Sequence, residues 1–275
     1  MTFRRILIIA ILFAVVMVLG CDVQSRYKTR TFLTSEQNRE INKLYEPPEE
    51  QAEIEPFLEE YGDAPAIRVN GREIKASDIQ RLYEWMWHGK EVPVNVKRDA
   101  CMQWIQSYAV MTQWPETIDV ALSRLEEIRQ SVFDGVDFSN LVVENSHETN
   151  ASQSAGDLGT VHRGMMVPIF EMHAFNDPLN RPSEPFPTVF GWHIAMPLER
   201  NTDDPNDPTV HVQHLLLAHG LDPSNIDQIA KDYTGTVQRW TGYADVELLI
   251  PLLKDVLPTY PLVVERTEIE ENTPE

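Results

Sequence analysis

Positive charge is scarce in this sequence. Its 275 residues carry 23 lysines and arginines against 43 acids, a formal charge of −20. So acidic a surface repels nucleic acid and anionic headgroups, and no nucleic-acid partner is expected. It keeps the chain soluble and favours basic partners. Repeats of solenoid length are missing as well. Cysteine occurs only as Cys21 and Cys101. The histidines His211, His214 and His219 have no cysteine or acid at ligand spacing, and on a strand His214 points away from the other two. No metal and no cofactor is expected. Long apolar runs are limited to Ile6–Leu19, shorter than the roughly 20 residues of a spanning helix. With 42% hydrophobic residues, the rest of the chain can bury one or two cores.

That one apolar run follows Arg4 and Arg5 and ends in Val18-Leu19-Gly20-Cys21. The pattern resembles the lipobox of a bacterial lipoprotein, with residues 1–20 as a cleaved signal peptide. Cys21 is then the lipidation site, and dual or triple acylation ties the chain to a lipid bilayer. The expected location is the cell envelope, facing the periplasm or the cell exterior. Cys101 would then be the only thiol left, so no intrachain disulfide can form and the fold must rest on packing.

Residues 21–62 read as an acidic tether, with Glu46-Pro47-Pro48-Glu49-Glu50 opening its most charged stretch. Folded structure is expected from residue 63. In 63–115, Ile67-Arg68-Val69 alternates as a strand, Asn70-Gly71 signals a turn, and Ser77 with Gln80 predicts a capping box. Ile79, Leu82, Tyr83 and Met86 recur at helical spacing, as do Cys101, Trp104, Ile105, Tyr108 and Met111. A third helix is written by Ile118, Ala121, Leu122, Leu125, Ile128 and Val132, stopped by Gly135. In 201–262 a strand and two helices are expected, the helices around Ile226–Tyr233 and Val246–Val256. An acidic tail follows at 263–275.

The most informative stretch begins at Gly135-Val136-Asp137-Phe138. It continues with Ala155-Gly156-Asp157-Leu158-Gly159 and with Arg163-Gly164-Met165-Met166-Val167-Pro168-Ile169-Phe170, then Ala174-Phe175. Ser183-Glu184-Pro185 and Thr188-Val189-Phe190-Gly191-Trp192-His193-Ile194 complete it. Five pieces in this order resemble the parvulin-type peptidyl-prolyl cis/trans isomerases, and Val69-Asn70-Gly71 with Ser77-Asp78-Ile79 resembles the chaperone arm of periplasmic chaperone-isomerases. The resemblance implies an α+β fold, a small antiparallel sheet covered by helices, with a helical chaperone-like region at 63–115 and the isomerase domain at 116–200. The implied partners are unfolded or proline-containing exported polypeptides.

The chemistry of that reaction fits the residue types. Rotation about an X-Pro bond faces a barrier of about 20 kcal/mol, because the amide is conjugated. At the twisted transition state the nitrogen is more basic and the carbonyl less polar. A catalyst therefore needs an apolar slot for the proline ring and a polar frame that favours the twisted amide. The resemblance places Met166, Phe170 and Phe190 in the slot, and Thr188 and His193 in the frame. Where the family commonly has a cysteine or aspartate, this chain has Glu148 and Thr149.

One departure is larger. The family opens with a central strand carrying a histidine, whereas here Gln106–Met111 is helical in pattern, with Tyr108 at that place. A similar run, Val210-His211-Val212-Gln213-His214-Leu215-Leu216-Leu217, follows the domain instead. It either supplies the missing strand from the C-terminal side, with His214 beside His193, or opens a decayed second repeat, or is unrelated. An active isomerase is the first functional reading. A lipid-tethered holdase on the same scaffold is the alternative, and a structural partner in an envelope complex is a third.

Overall fold

A computed structural model of the protein describes residues 54–87, 93–204 and 207–258; the lipobox with Cys21, most of the tether and the acidic tail lie outside them. In chain order the elements are β1 (Pro65–Val69), β2 (Arg72–Lys75), α1 (Ala76–Met86), α2 (Pro93–Met111) and α3 (Pro115–Phe133). Then come α4 (Phe138–Asn145), α5 (Ala151–Ser154), β3 (Asp157–His162), α6 (Pro168–Asn176), β4 (Phe186–Thr188), β5 (Gly191–Asn201) and β6 (Thr209–Ala218). The last are α7 (Ser224–Lys231), α8 (Tyr233–Tyr243), β7 (Val246–Leu248) and α9 (Leu253–Val256). The mixed α+β class is as expected.

The β1–β2 hairpin turns at Asn70 and Gly71, both with positive φ (47° and 82°). That is what a tight two-residue turn between right-twisted strands requires. β7 pairs with the other edge of β1, Ile67 opposite Leu248. Asn70 clasps the join: its N–H donates to the Asp245 carbonyl and its Oδ1 accepts from the Asp245 N–H, both at 2.8 Å. Residues near the two ends of the folded body thus share one three-stranded sheet.

Several local expectations are corrected here. No capping box forms at α1, where Lys75 is the N-cap and its side chain makes no capping hydrogen bond. Ser77 instead donates to Asp63, and Gln80 accepts from the Leu58 N–H at 2.7 Å. Phe57 and Leu58 are buried, so the folded body starts ahead of residue 63. In the C-terminal part, the expected helix at Val246–Val256 is replaced by β7 and the single turn α9. An unforeseen helix, α8, precedes them, held at its start by Asp232 accepting from the Gly235 N–H.

The second sheet is antiparallel, in the order β3-β6-β5-β4. β6 is therefore central, and it pairs with β5 along their whole length, from Gly191 opposite Ala218 to Asn201 opposite Thr209. One face of this sheet presents Trp192, Ile194, Leu215 and Leu217 to α3 and α4 (Ile118, Leu125, Ile128, Phe138, Val142). The other presents Ala195, Val210 and Val212 to α6 and to a core shared with β1, α1, α2 and α9. Cys101 lies in that shared core, and burial pushes its thiol up to about 12, which keeps it an inert packing group.

Candidate functional site

The site is built where β5 and β6 turn their other face toward α6. His193 lies opposite Leu216, and Ala195 lies opposite His214. Side chains two apart on a strand share a face, so His193 and His214 stand diagonally across the two strands. Their rings are 5.8 Å apart between centroids and 21° from parallel. Phe170, from α6, meets both edge-on, at 5.6 Å from His193 and 5.5 Å from His214. Phe186, from β4, stacks on His193 at 5.4 Å and 11°.

Each imidazole is oriented by a polar partner. β3 covers β6 only up to Gln213. Beyond it the loop after α4 takes over the strand's hydrogen bonds: the His147 N–H donates to the Leu216 carbonyl at 2.7 Å, and the Leu216 N–H donates to Ser146 Oγ at 3.2 Å. That lays Glu148 against His214, with Nε2 to Oε2 at 2.7 Å. A carboxylate can only accept, so His214 carries a proton on Nε2. Burial alone would raise the Glu148 pKa, but the His214 charge and hydrogen bond outweigh it and hold the carboxyl below its ordinary range. Gly156 permits this packing, because its carbonyl accepts from the His214 N–H at 2.9 Å. A Cβ at Gly156 would fall 2.2 Å from the His214 carbonyl oxygen.

Thr188 serves the second imidazole. Its Oγ1 lies 2.8 Å from His193 Nε2 and accepts from the Phe190 N–H at 3.2 Å. Its carbonyl accepts from Nε2–H of His219 at 2.7 Å. Burial, with the neighbouring His214, His219 and His173, pushes the His193 pKa well below its usual value. Burial likewise lowers His219 to about 4, so both rings are neutral at physiological pH. The Nδ1 atoms of His193 and His214 are buried without a hydrogen-bond partner. Orphaned polar atoms inside an apolar site are uncommon and costly, and here two of them belong to neighbouring rings.

Most of the residues expected at the site are brought together: His193, His214, Thr188, Glu148 and Phe170. Met166 is half-buried beside the same core, and its N–H donates to Glu171 at 2.9 Å. Phe190 packs elsewhere, in a cluster with Tyr233, Ile226 and Val237. Thr149 is exposed in the turn beyond Glu148. Tyr108 is on α2, packed edge-on against Trp104. His211 and His214 of β6 and His219 just after it go separate ways, His211 to Asp157, His214 to Glu148 and His219 to Thr188. Among the described residues no group of acids, cysteines and histidines could hold a metal ion.

Sequence reasoning gave four residues no role at this site. Phe186 and His173 stack face to face at 3.9 Å. His219 supports Thr188. Glu171 is a buried acid whose pKa burial raises to about 7, against hydrogen bonds from the Met166 and Gly164 backbones and the charge of Arg163. Three of the four lie in short or uniformly buried elements, where periodicity carries no signal.

A four-stranded antiparallel sheet with helices on both faces thus holds two imidazoles beside an aromatic floor. Residues 111–197 match the family Rotamase, the PPIC-type PPIASE domain. The chain is 38% identical over 84 residues to "Chaperone SurA" of Saccharophagus degradans, covering 30% of this chain and 20% of that one. It is 30% identical over 150 residues to "Foldase protein PrsA" of Halalkalibacterium halodurans, covering 53% and 39%. With "Foldase protein PrsA" of Oceanobacillus iheyensis it shares 27% over 208 residues, covering 74% and 58%. It thus spans about a fifth of the chaperone and less than two thirds of either foldase. No solved structure matches it. The family match stops at Pro197, before β6, so the strand that carries His214 lies outside it.

Proposed function

We propose that this protein is a peptidyl-prolyl cis/trans isomerase and foldase for exported polypeptides, working at the surface of a cell-envelope membrane. The observation that carries the reading is the pair of imidazoles with free Nδ1 atoms beside Phe170 and Phe186. Phe170, Phe186 and the half-buried Met166 offer an apolar slot for the proline ring. Thr188 and Glu148 anchor the Nε2 atoms of His193 and His214.

The proposed mechanism follows from these placements. If the Thr188 hydroxyl donates to His193 Nε2, His193 carries its proton on Nδ1 and presents a donor, while Nδ1 of His214, when that ring is neutral, presents an acceptor. A donor aimed at the prolyl nitrogen stabilises the twisted amide, where the nitrogen lone pair is free, more than the planar one. Rotation breaks no covalent bond, so no nucleophile is needed. Membrane attachment rests on Leu19-Gly20-Cys21 alone. A Cys21→Ser variant released from membranes supports it, and a wild-type chain without N-terminal lipid overturns it.

Proline-limited refolding of a standard substrate, in the presence of the whole protein, tests the isomerase reading. Acceleration at substoichiometric enzyme supports it. Suppressed aggregation with no acceleration identifies a holdase on the parvulin scaffold.

A further inference from the structure

Beyond the two imidazoles just described, a third lies in the same stack of rings. His173, from α6, sits face to face on Phe186 at 3.9 Å and 10°. Phe186 then stacks on His193, and His193 on His214. The four rings make one column, and each end is tied by a carboxylate. His214 is bound by Glu148. His173 Nδ1 lies 2.8 Å from Asp177 Oδ2, and the other oxygen of Asp177 accepts from Arg81 at 2.9 Å. Arg81 belongs to α1, in the region ahead of the isomerase domain. Its contact crosses from one part of the protein to the other.

We propose that His173, locked by Asp177 and Arg81, is a positioning residue of the isomerase site, setting the plane of Phe186 and through it that of His193. The proposal rests on the isomerase reading above. Packing alone gives little reason for this arrangement. The His173 and Asp177 side chains are only 7% and 12% exposed, and burying such a pair in place of an apolar residue is seldom a net gain in stability. What the pair adds is a fixed angle. The χ2 torsions of histidine and phenylalanine are broad, so dispersion between two flat rings leaves both free to swing. A hydrogen bond at Nδ1 stops the first ring, and stacking at van der Waals distance passes that restraint to the next. Phe186 is the wall shared by the proline slot and His193, so its tilt decides whether His193 faces the amide.

The test uses the full chain and three variants: His173→Leu, His173→Phe and Asp177→Asn. Catalysis is read by exchange spectroscopy on an X-Pro peptide, and the plane of His193 by the chemical shifts of its ring protons, which feel the Phe186 ring current. His173→Leu should lower kcat about fivefold or more with KM little changed, as misaimed catalytic groups do, and should move the His193 resonances. His173→Phe, which keeps a flat ring against Phe186 but has no Nδ1 to bond Asp177, should recover only part of the loss. Asp177→Asn should fall between them, and it serves alone if His173→Leu does not fold. Wild-type kcat with unmoved His193 resonances in a folded variant overturns the proposal. Should the wild-type protein not catalyse the exchange, the isomerase reading fails and the ring shifts alone decide: unmoved, they overturn the positioning role, and moved, they sustain it.

Discussion

His193 and His214 stack across the β5–β6 hairpin, each held at Nε2 by a different partner and each leaving Nδ1 buried and unpaired. Two groups that act on one amide are not independent. His193→Ala and His214→Ala should each lower kcat/KM about tenfold or more, within the range of a positioned proton-sharing group. The double variant should lose far less than the product of the two. Multiplicative losses would mean that the rings work separately.

Glu148→Gln keeps the shape of the side chain but removes the charge that fixes the His214 proton. The amide introduced there can present its nitrogen to Nε2, which favours the opposite tautomer. Nitrogen-15 spectra should show the His214 tautomer shift, with catalysis reduced severalfold. An unchanged tautomer would show that Glu148 does not orient the ring.

Phe170 is 3% exposed and touches Phe186, His193 and His214. Phe170→Ala should cost about 3–5 kcal/mol of stability, as large-to-small changes in cores do. In the folded fraction it should lower kcat/KM by about tenfold or more, since the proline ring loses its floor. Full activity in a folded variant would make Phe170 plain core.

Thr188→Val replaces the hydroxyl with a methyl of similar shape. It leaves the Phe190 N–H unpaired and His193 Nε2 without its partner. A loss of about 1–3 kcal/mol is expected for stranding buried polar groups, read as a lower urea midpoint at unchanged slope. A midpoint equal to wild type would show that water replaces the hydroxyl.

Stability should rise with pH from about 5 and level off near neutrality, just above the ordinary histidine pKa of about 6.5. Burial depresses His219 to about 4 and His193 well below its ordinary value. Unfolded histidines take up protons near that pH, so acidification below it favours the unfolded chain. Glu171 works the other way, because burial raises it to about 7. Its contribution is complete below the usual carboxyl range and is lost as pH rises through the folded value. Two histidines outweigh one acid up to near neutrality, where the opposing effects almost cancel, so Glu171 blunts the rise without reversing it. Urea titrations from about pH 5 to 8 should show this rise, and Glu171→Gln should steepen it. A variant with the wild-type profile would show that Glu171 does not titrate there.

Much of the site was legible because its motifs are local. Gly156-Asp157-Leu158-Gly159 and Thr188 to Ile194 could be read as strings, and the alternation of Val210 to Ala218 identified a strand with His214 inside it. What escaped depends on distance. Ser77 and Gln80 fit a capping pattern, but Asp63 and Leu58 offered tertiary partners that won. β7 is three residues long, and its partner β1 lies at the far end of the folded body. α8 contains two glycines and three threonines, poor helix formers, and is sustained by burying Thr236, Val237 and Thr241. His173 stands on a helix buried from Ile169 to Phe175, so no polar stripe marks it out.

The central place of β6 bears on how the protein emerges from the ribosome. β3 and β5 do not touch each other, and β6 lies between them. A nascent chain that has released everything through Pro197 therefore holds a β4–β5 hairpin and a lone β3, with Glu148 facing no histidine. The sheet can close only when the run to Ala218 is free, and the second imidazole arrives with it. Helices α3 and α4, made before the sheet closes, must wait with one apolar side uncovered, a window in which the newborn protein exposes the kind of surface that chaperones bind.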